Sequence, residues 1–181
     1  MPSLLAILRD ILFLRRGPQD LPYSPTGLVI AAIASVFVSY WATALLLPKQ
    51  PDLLPRVLAA LLLHIGLLYL LLNALQHRAR FVQTALASLL GDVLFTGVVL
   101  PLLPIFEPLS RSGATPDSVT PAAALASLLF LAFGIWRIVV DAHIVRQALE
   151  IRLLPALLIN VALVFASQIV LGALFGVAEG S

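Results

Sequence analysis

The fold is decided by stretches of sequence that are almost entirely apolar and long enough to cross a membrane. The last of them is residues 155–177, PALLINVALVFASQIVLGALFGV. At ~1.5 Å of rise per residue a helix of this length reaches about 35 Å, which exceeds the ~30 Å hydrocarbon core of a bilayer. Toward the N-terminus, four similar stretches lie at residues 27–47, 53–75, 83–106 and 122–140. The sequence therefore predicts five membrane spans.

The composition supports an integral membrane protein. Of the 181 residues, 61% are hydrophobic and 11% are charged, and the mean hydropathy is +1.06. Soluble domains carry roughly 25% charged residues. The spans must be helices, because backbone polar groups find no water in the bilayer core. Ser24–Pro25 and Thr120–Pro121 are typical helix starts. We therefore predict an all-α fold, with an N-terminal segment at residues 1–26 and a five-helix transmembrane bundle at residues 27–181.

Several classes of function are excluded or disfavoured. The longest segment outside the spans is residues 1–26, and chains below ~40 residues rarely fold alone, so a separate soluble catalytic domain is excluded. Cysteine is absent, which removes thiolate metal sites and cysteine nucleophiles. No phosphate-binding glycine loop, HExxH pair or GxSxG elbow occurs. We expect a non-enzymatic protein with no cofactor, no metal and no nucleic-acid partner.

The distribution of basic residues predicts the orientation. Cytoplasmic segments retain Lys and Arg during insertion. If the N-terminus is inside, eight basic residues lie on inner segments: Arg9, Arg15, Arg16, Arg78, Arg80, Arg137, Arg146 and Arg152. The outer segments hold only Lys49, Arg56 and Arg111. We therefore predict a cytoplasmic N-terminus and an external C-terminus. Ten arginines against one lysine also suggest a GC-rich coding sequence, hence a bacterial protein of the cytoplasmic (inner) membrane.

Residues 3–16 form a separate amphipathic element before the first span. Apolar residues recur at helical spacing at Leu4, Ile7, Leu8, Ile11 and Leu14. This pattern predicts an interfacial helix whose apolar face lies at the headgroup boundary, with Arg9, Arg15 and Arg16 in contact with anionic lipid. The alternative is a short helix packed between spans, because Leu5, Leu12 and Phe13 interrupt the polar side.

The fourth helix is expected to continue past the membrane surface. Arg137 and Asp141 are spaced i,i+4, and so are Arg146 and Glu150, which suits ion pairs along one continuous helix. We predict that this helix runs into the cytoplasm toward Glu150. Pro101 and Pro104 should distort the outer end of the third helix, because each removes a backbone hydrogen bond.

Small residues predict the surfaces where helices pack closely in a membrane. The first span carries them at every fourth position, and the fifth carries a GxxxG pair: Gly27, Ala31, Ser35 and Ser39, then Gly172 and Gly176. Both stripes could serve packing within one protomer or association between two copies.

The third span contains the one acidic residue that lies deep in a predicted span, Asp92. A charge at mid-bilayer costs roughly 2.5–3.5 kcal/mol, so Asp92 should face the bundle interior and find a partner. Its depth matches that of His64 in the second span, and Gln168 in the fifth could join them. One interpretation is a proton-binding or solute-coordinating site, and the other is a buried pair that only fixes helix register. The absence of a second acid or a base at that depth favours the structural interpretation.

The chain resembles the Yip family of Ypt-interacting proteins. The Asp20–Pro25 segment, DLPYSP, is similar to that family's Asp-Leu-Tyr-Gly-Pro motif. Ser88–Gly91 in the third span, SLLG, is a second point of similarity to the family, and Phe81–Gln83 ahead of that span resembles small bacterial members. The resemblance implies five spans, a cytoplasmic N-terminus and a short tail on the opposite side. Asp92 departs from the family, where an aromatic residue is usual.

Two functions remain open. The leading hypothesis is a non-enzymatic membrane scaffold or partner-binding subunit that contacts the lipid bilayer and other membrane proteins or a second copy of itself. The alternative is a small transporter or proton-coupled carrier that uses Asp92 and His64. A water-filled cavity reaching Asp92 would favour transport, whereas a dry, sealed bundle would favour the scaffold.

Overall fold

The computed structural model describes residues 3–47, 51–106 and 120–176, and these residues form helices without any strand. Within these described ranges six α-helices follow one another: α1 Leu4–Leu12, α2 Pro25–Leu46, α3 Leu53–Ala74, α4 Phe81–Val99, α5 Pro121–Leu149 and α6 Leu153–Phe175. Short 3₁₀ turns lie at Pro18–Asp20, Arg78–Arg80 and Leu100–Phe106.

Helices α2 to α6 confirm the five predicted spans, since each is long and apolar enough to cross a membrane. Their outer faces leave large apolar side chains exposed, among them Ile33, Leu62 and Phe165. Exposed apolar surface on this scale suits contact with lipid. The fold is therefore that of an integral membrane protein.

The helix boundaries follow local capping chemistry, as the sequence predicts. Ser24 Oγ accepts a hydrogen bond from the Gly27 amide at 3.0 Å, and Pro25 begins α2. Thr120 Oγ1 accepts from the Ala123 amide at 3.1 Å ahead of Pro121. At its C-terminal end, α4 stops at Val99 and is followed by the 3₁₀ turn that contains Pro101 and Pro104. Helix α5 continues to Leu149, which confirms its predicted extension.

Helix α4 is the centre of the bundle. Its most extensive contacts are with α2 and α5, and it also packs against α1 and α3. Every residue from Thr84 to Leu89 is buried, as is Gly91. Because consecutive spans alternate in direction, α4 begins at the end of the bundle where α1 lies. We call this the α1 end, and the opposite one the far end.

Helix α1 packs on the bundle with the face that the sequence assigns to lipid headgroups. Ile7 and Ile11 are buried in one cluster with Leu86 of α4 and Ile144 of α5. This face of α1 therefore contacts protein, and the interfacial position of the helix stays a prediction. An amphipathic face suits protein and headgroup boundary equally well, so its hydrophobic period could not decide between them.

Long-range hydrogen bonds join the segment after α1 to the spans. Gln83 Nε2 donates to the Leu21 carbonyl oxygen at 2.6 Å, and His143 Nε2 donates to the Arg16 carbonyl oxygen at 2.9 Å. Arg16 and Arg9 both form ion pairs with Asp10. The N-terminal segment is therefore part of the folded bundle. Lipid contact by Arg9, Arg15 and Arg16 stays a prediction.

The two small-residue stripes have different surroundings. In α2, Ala31 and Ser35 are buried on the face that packs against α4. Gly27 lies beside Leu86 of α4, since a Cβ atom there would be 3.9 Å from the Leu86 Cδ1 atom. The stripe in α2 therefore serves packing inside the protomer. In α6, by contrast, Gly172 has open space where a Cβ would stand, so a role in self-association stays a prediction for Gly172 and Gly176.

Candidate functional site

Three charged side chains meet near the middle of the bundle. Arg137 of α5 donates from Nη1 to Asp92 Oδ1 of α4 at 3.2 Å. Its Nε donates to Asp141 Oδ2, one helical turn further along α5, at 2.6 Å. The guanidinium also lies over the ring of Phe95, 5.7 Å from its centroid. Arg137 is thus held between two carboxylates, and we call Asp92, Arg137 and Asp141 the ionic cluster.

Asp92 and His64 are each bonded to a neighbour other than the one predicted. Ser35 Oγ of α2 donates to Asp92 Oδ2 at 2.5 Å. His64 Nε2 and Ser88 Oγ of α4 are hydrogen-bonded at 2.9 Å. These contacts replace the direct Asp92–His64 bond expected from the sequence. A guanidinium supplies a charge-assisted hydrogen bond, which is stronger than one from a neutral imidazole.

Arg137 is the residue that sequence reasoning misplaced. The fourth span was drawn to end at residue 140, which put Arg137 at the cytoplasmic surface. The helix runs on to Leu149, and Arg137 contacts Asp92 instead. The base and the second acid that the sequence analysis found missing at this depth are therefore present. The available signal was the i,i+4 spacing of Arg137 and Asp141 in a helix already predicted to be longer.

The ionic cluster is unbalanced in charge. Two carboxylates face one guanidinium, which leaves one net negative charge when His64 is neutral. Within the described residues, Asp141 Oδ1 is buried and has no hydrogen-bond partner. Unpaired charge in an apolar environment is costly, and charged residues inside a membrane normally face a cavity or a partner.

A cavity of about 470 Å³ reaches the ionic cluster from the far end. All five spans contribute to its lining, and the polar residues among them are Ser35, Ser39, Thr43, Arg56, His64, Asp92, Arg137 and Gln168. One water molecule occupies about 30 Å³ in the liquid, so the cavity has room for several waters or a small solute. The sequence analysis named a water-filled cavity that reaches Asp92 as favouring transport, and this cavity reaches Asp92 and is large enough to hold water.

A second cavity of about 230 Å³ extends from the cluster toward the α1 end. It is lined by Asp141 and by the polar side chains Thr84, Ser88, Asn160 and Ser167. His64, Arg137 and Gln168 line both cavities. The predicted set Asp92, His64 and Gln168 is thus brought into one region, where the two cavities meet. Asn160 lines this cavity and is buried, whereas Asn73 is exposed.

Arg56 of α3 lies on the far-end cavity. Its Nη2 donates to the Phe175 carbonyl oxygen at the end of α6, at 2.8 Å. Its guanidinium lies 5.3 Å from the centroid of the Phe175 ring. These contacts join α3 to α6 and hold a positive charge beside the far-end cavity.

A further ion pair lies at the α1 end, away from both cavities. Arg80 pairs with the Glu150 carboxylate, and its Nη1 donates to the Ala148 carbonyl oxygen at 3.1 Å. The hydrogen bond from Arg80 lowers the pKa of the Glu150 carboxyl. The sequence paired Glu150 with Arg146 instead. That pairing is lost because Glu150 has a φ of 58° and leaves the helix, which removes the i,i+4 geometry.

These features define a class of molecule: a five-helix integral membrane protein with an ionic cluster where two internal cavities meet. No protein-family model, curated protein or solved structure matches the chain. The resemblance to the Yip family stays a prediction.

Proposed function

We propose that the protein is a small proton-coupled membrane carrier whose transport site is the ionic cluster. The observation that carries the proposal is the position of Arg137, which bonds both carboxylates and lines both cavities. A charged group between two cavities that contain polar side chains is the arrangement that an ion or solute pathway requires.

The ionic cluster is the reason to prefer a carrier to the scaffold that the sequence favoured. Each charged residue deep in a span costs roughly 2.5–3.5 kcal/mol on insertion scales. Small residues and neutral hydrogen bonds are sufficient to hold membrane helices together. Three charged side chains around a cavity go beyond that structural need. The carrier hypothesis began with Asp92 and His64, and it now includes Arg137 and Asp141.

The proposal includes an orientation and a location. With Arg137 inside the bundle, the predicted cytoplasmic segments keep seven basic residues against three on the other side. This bias supports a cytoplasmic N-terminus and α1 end, with the far end outside, in a bacterial inner membrane. The far-end cavity would then face the exterior. Reporter fusions at Met1 and Ser181 test this orientation, and reporters on the same side would contradict it.

We also propose that the outward face of α1 contacts lipid while its other face packs on the bundle. Leu5 and Phe13 are exposed, and so are the basic side chains of Arg9 and Arg15. Basic residues near an anionic leaflet each add ~1 kcal/mol to binding. Lipid crosslinking to α1 should therefore fall when Arg9, Arg15 and Arg16 are replaced by Gln.

The test of transport is a flux measurement on the purified full chain in liposomes that contain a pH-sensitive dye. A pH gradient is imposed, and proton entry is followed with valinomycin and K⁺ present to prevent a membrane potential. The measurement is repeated with sodium salts, carboxylic acids and amino acids supplied outside, because a coupled carrier moves protons only with its solute. The wild-type chain should dissipate the gradient faster than empty liposomes under at least one condition.

Two amide variants make the test specific. Asp92→Asn should abolish the flux, since it removes a charge from the cluster. Asp52→Asn makes the same chemical change at an exposed acid that precedes α3, and it should retain the flux. If the wild-type chain matches empty liposomes under every condition, the carrier proposal is wrong and the scaffold hypothesis regains its place.

A further inference from the structure

We infer that Asp141 is the residue that binds the transported proton, one proton per protein, while Asp92 and Arg137 remain a fixed ion pair. This inference rests on the proposed carrier function. It goes further by naming a proton acceptor that differs from the predicted Asp92 and by giving its stoichiometry.

The hydrogen bonds distinguish the two carboxylates. Both oxygens of Asp92 have donors, Arg137 Nη1 on Oδ1 and Ser35 Oγ on Oδ2. Asp141 has a donor on Oδ2 only, and its buried Oδ1 has none within the described part of the chain. A buried carboxylate oxygen without a donor loses its hydration and gains nothing in return. Protonation of that oxygen removes the charge and converts an unpaired acceptor into a donor.

The charges that surround Asp141 set the stoichiometry. Arg137 faces it from the same helix, Asp92 from α4 and His64 from α3. Arg56 of α3 lines the far-end cavity, whereas Asp141 lines the α1-end cavity. The α2 and α6 side chains that line the two cavities are uncharged. At the α1 end, α5 meets the N-terminal segment, where His143 donates to the Arg16 carbonyl oxygen and Asp10 is paired with Arg16. With a neutral His64, the cluster carries one net negative charge, and one proton neutralises it.

The surroundings favour a proton over a metal cation. Hard cations such as Ca²⁺ take about six to eight oxygen ligands. In the ranges that the structure describes, no group of three His, Asp or Glu side chains could hold a metal ion. The nearby hydroxyls are also engaged, since Thr84 Oγ1 donates to the Arg80 carbonyl oxygen and Ser167 Oγ to that of Leu163. A proton needs a single oxygen, and Asp141 Oδ1 is available.

The two cavities provide the route. Asp141 lines the α1-end cavity and Asp92 lines the far-end cavity, while Arg137 lines both. A proton would reach Asp141 from the α1-end cavity. Arg137 keeps its bond to Asp92 when Asp141 becomes neutral, so the guanidinium is never left without a carboxylate. Exchange with the far-end cavity then requires the Arg137–Asp92 pair to move together, with its ion pair intact.

The test uses dicyclohexylcarbodiimide on the full-length chain in detergent. The O–H of a protonated carboxyl adds across a C=N bond of this reagent, and the adduct rearranges to a stable N-acylurea without loss of any group. Mass spectrometry of peptides then identifies the labelled residue. We expect the label on Asp141 in preference to Asp92, with a yield that increases as the pH is lowered. Asp141→Asn should lose this label.

Two further variants test the charge count. Asp92→Asn leaves Asp141 and Arg137 as a neutral pair, so labelling of Asp141 should fall toward background at the same pH. In the exposed-acid control Asp52→Asn, the reagent should label Asp141 to the same extent as in the wild type. Circular dichroism and gel filtration establish that each variant is folded. If Asp92→Asn does not fold, the position of the label in the wild-type chain still decides the assignment.

Three results would overturn the inference. They are labelling of Asp92 in place of Asp141, no labelling of either residue at any pH, and protection of Asp141 by Na⁺ at constant pH, which would identify a metal cation as the ligand. The labelling does not depend on transport. Flux without labelling of Asp141 would contradict the assignment of the proton to Asp141 and still support the carrier function. Labelling without flux would support proton binding by Asp141 and remove only the carrier.

Discussion

Arg137 and Arg80 make similar contacts in opposite surroundings. Arg137 lies inside the bundle between Asp92 and Asp141, and 21% of its side-chain surface is exposed. Arg80 pairs with Glu150 at the α1 end, where 65% of the Glu150 side chain is exposed. The chemical groups are the same, and the difference lies in what would replace the partner if it were removed.

At the α1 end, water replaces the partner. Exposed ion pairs therefore contribute little to stability. In the bundle centre the surroundings are largely apolar side chains, and a buried charge that loses its partner costs about 3–5 kcal/mol. An intact buried ion cluster does not by itself indicate that the cluster stabilises the fold. Uncharged residues of similar size often give the same stability. This contrast supports a functional rather than a structural reason for the ionic cluster.

The largest expected effect is the loss of Arg137. Arg137→Gln leaves Asp92 and Asp141 without a counter-charge, and the free energy of unfolding should fall by about 3–5 kcal/mol. Arg146→Gln is the matched control, because Arg146 is an exposed arginine on the same helix. Unfolding in mixed detergent micelles measures both. Equal losses in the two variants would show that the cluster is as well solvated as the surface.

A smaller effect is expected when the charge of Asp92 is removed and its hydrogen bonds are kept. The amide of Asp92→Asn can accept from Arg137 and donate to Ser35 Oγ, so the loss should be about 0.6 kcal/mol, typical of interhelical hydrogen bonds in membranes. Asp92→Leu cannot replace either bond and should cost about 1–3 kcal/mol. A thermal unfolding series compares the two variants. If the amide costs as much as the leucine, the charge and not the hydrogen bonding of Asp92 holds the helices together.

The same contrast explains how much could be predicted from the sequence. The five spans follow from local hydropathy and helix caps, such as Ser24 before Pro25, because each depends on residues close in sequence. The partner of Asp92 depends on how α4 and α5 are rotated against each other. No local pattern contains that rotation, so depth alone suggested His64.

The N-terminal helix shows the same limit. Its period correctly predicts a helix, and Ile7 and Ile11 lie on the apolar face as expected. The period does not say whether that face meets lipid or protein, since both are apolar. Arg137 is a different case, because its partner Asp141 is local. The sequence predicted that contact correctly and still misplaced it, since the depth of a residue depends on where the whole helix sits in the membrane.

Ser35→Ala tests the contribution of a neutral hydrogen bond to the cluster, because it removes one neutral donor and no charge. Asp92 keeps Arg137 on Oδ1, so the loss should be about 0.6 kcal/mol. Ser127→Ala is the control, since the Ser127 hydroxyl donates to the Ala123 carbonyl oxygen of its own helix. Its loss should be smaller. A loss at Ser35 as large as that of Arg137→Gln would place the main stabilisation of Asp92 on the hydroxyl.

The smallest effect is expected at the exposed pair, and it can be isolated by pH. The pKa of Glu150 is lowered from its ordinary value of 4.5, chiefly by the hydrogen bond from Arg80 and then by the positive charge of Arg80. A carboxyl whose folded pKa is lower than its unfolded pKa stabilises the folded state above the unfolded value. That stabilisation is lost as the pH falls below 4.5 through the folded pKa.

Glu150→Gln should therefore be slightly less stable than the wild type at neutral pH and should approach it in acid. Melting temperatures of the two proteins from neutral to acidic pH measure the difference, and high salt should reduce it because exposed charges are screened. A difference that grows in acid would have the wrong sign for a lowered pKa, and a difference insensitive to salt would show that Arg80 and Glu150 are shielded from water in the same way as the ionic cluster.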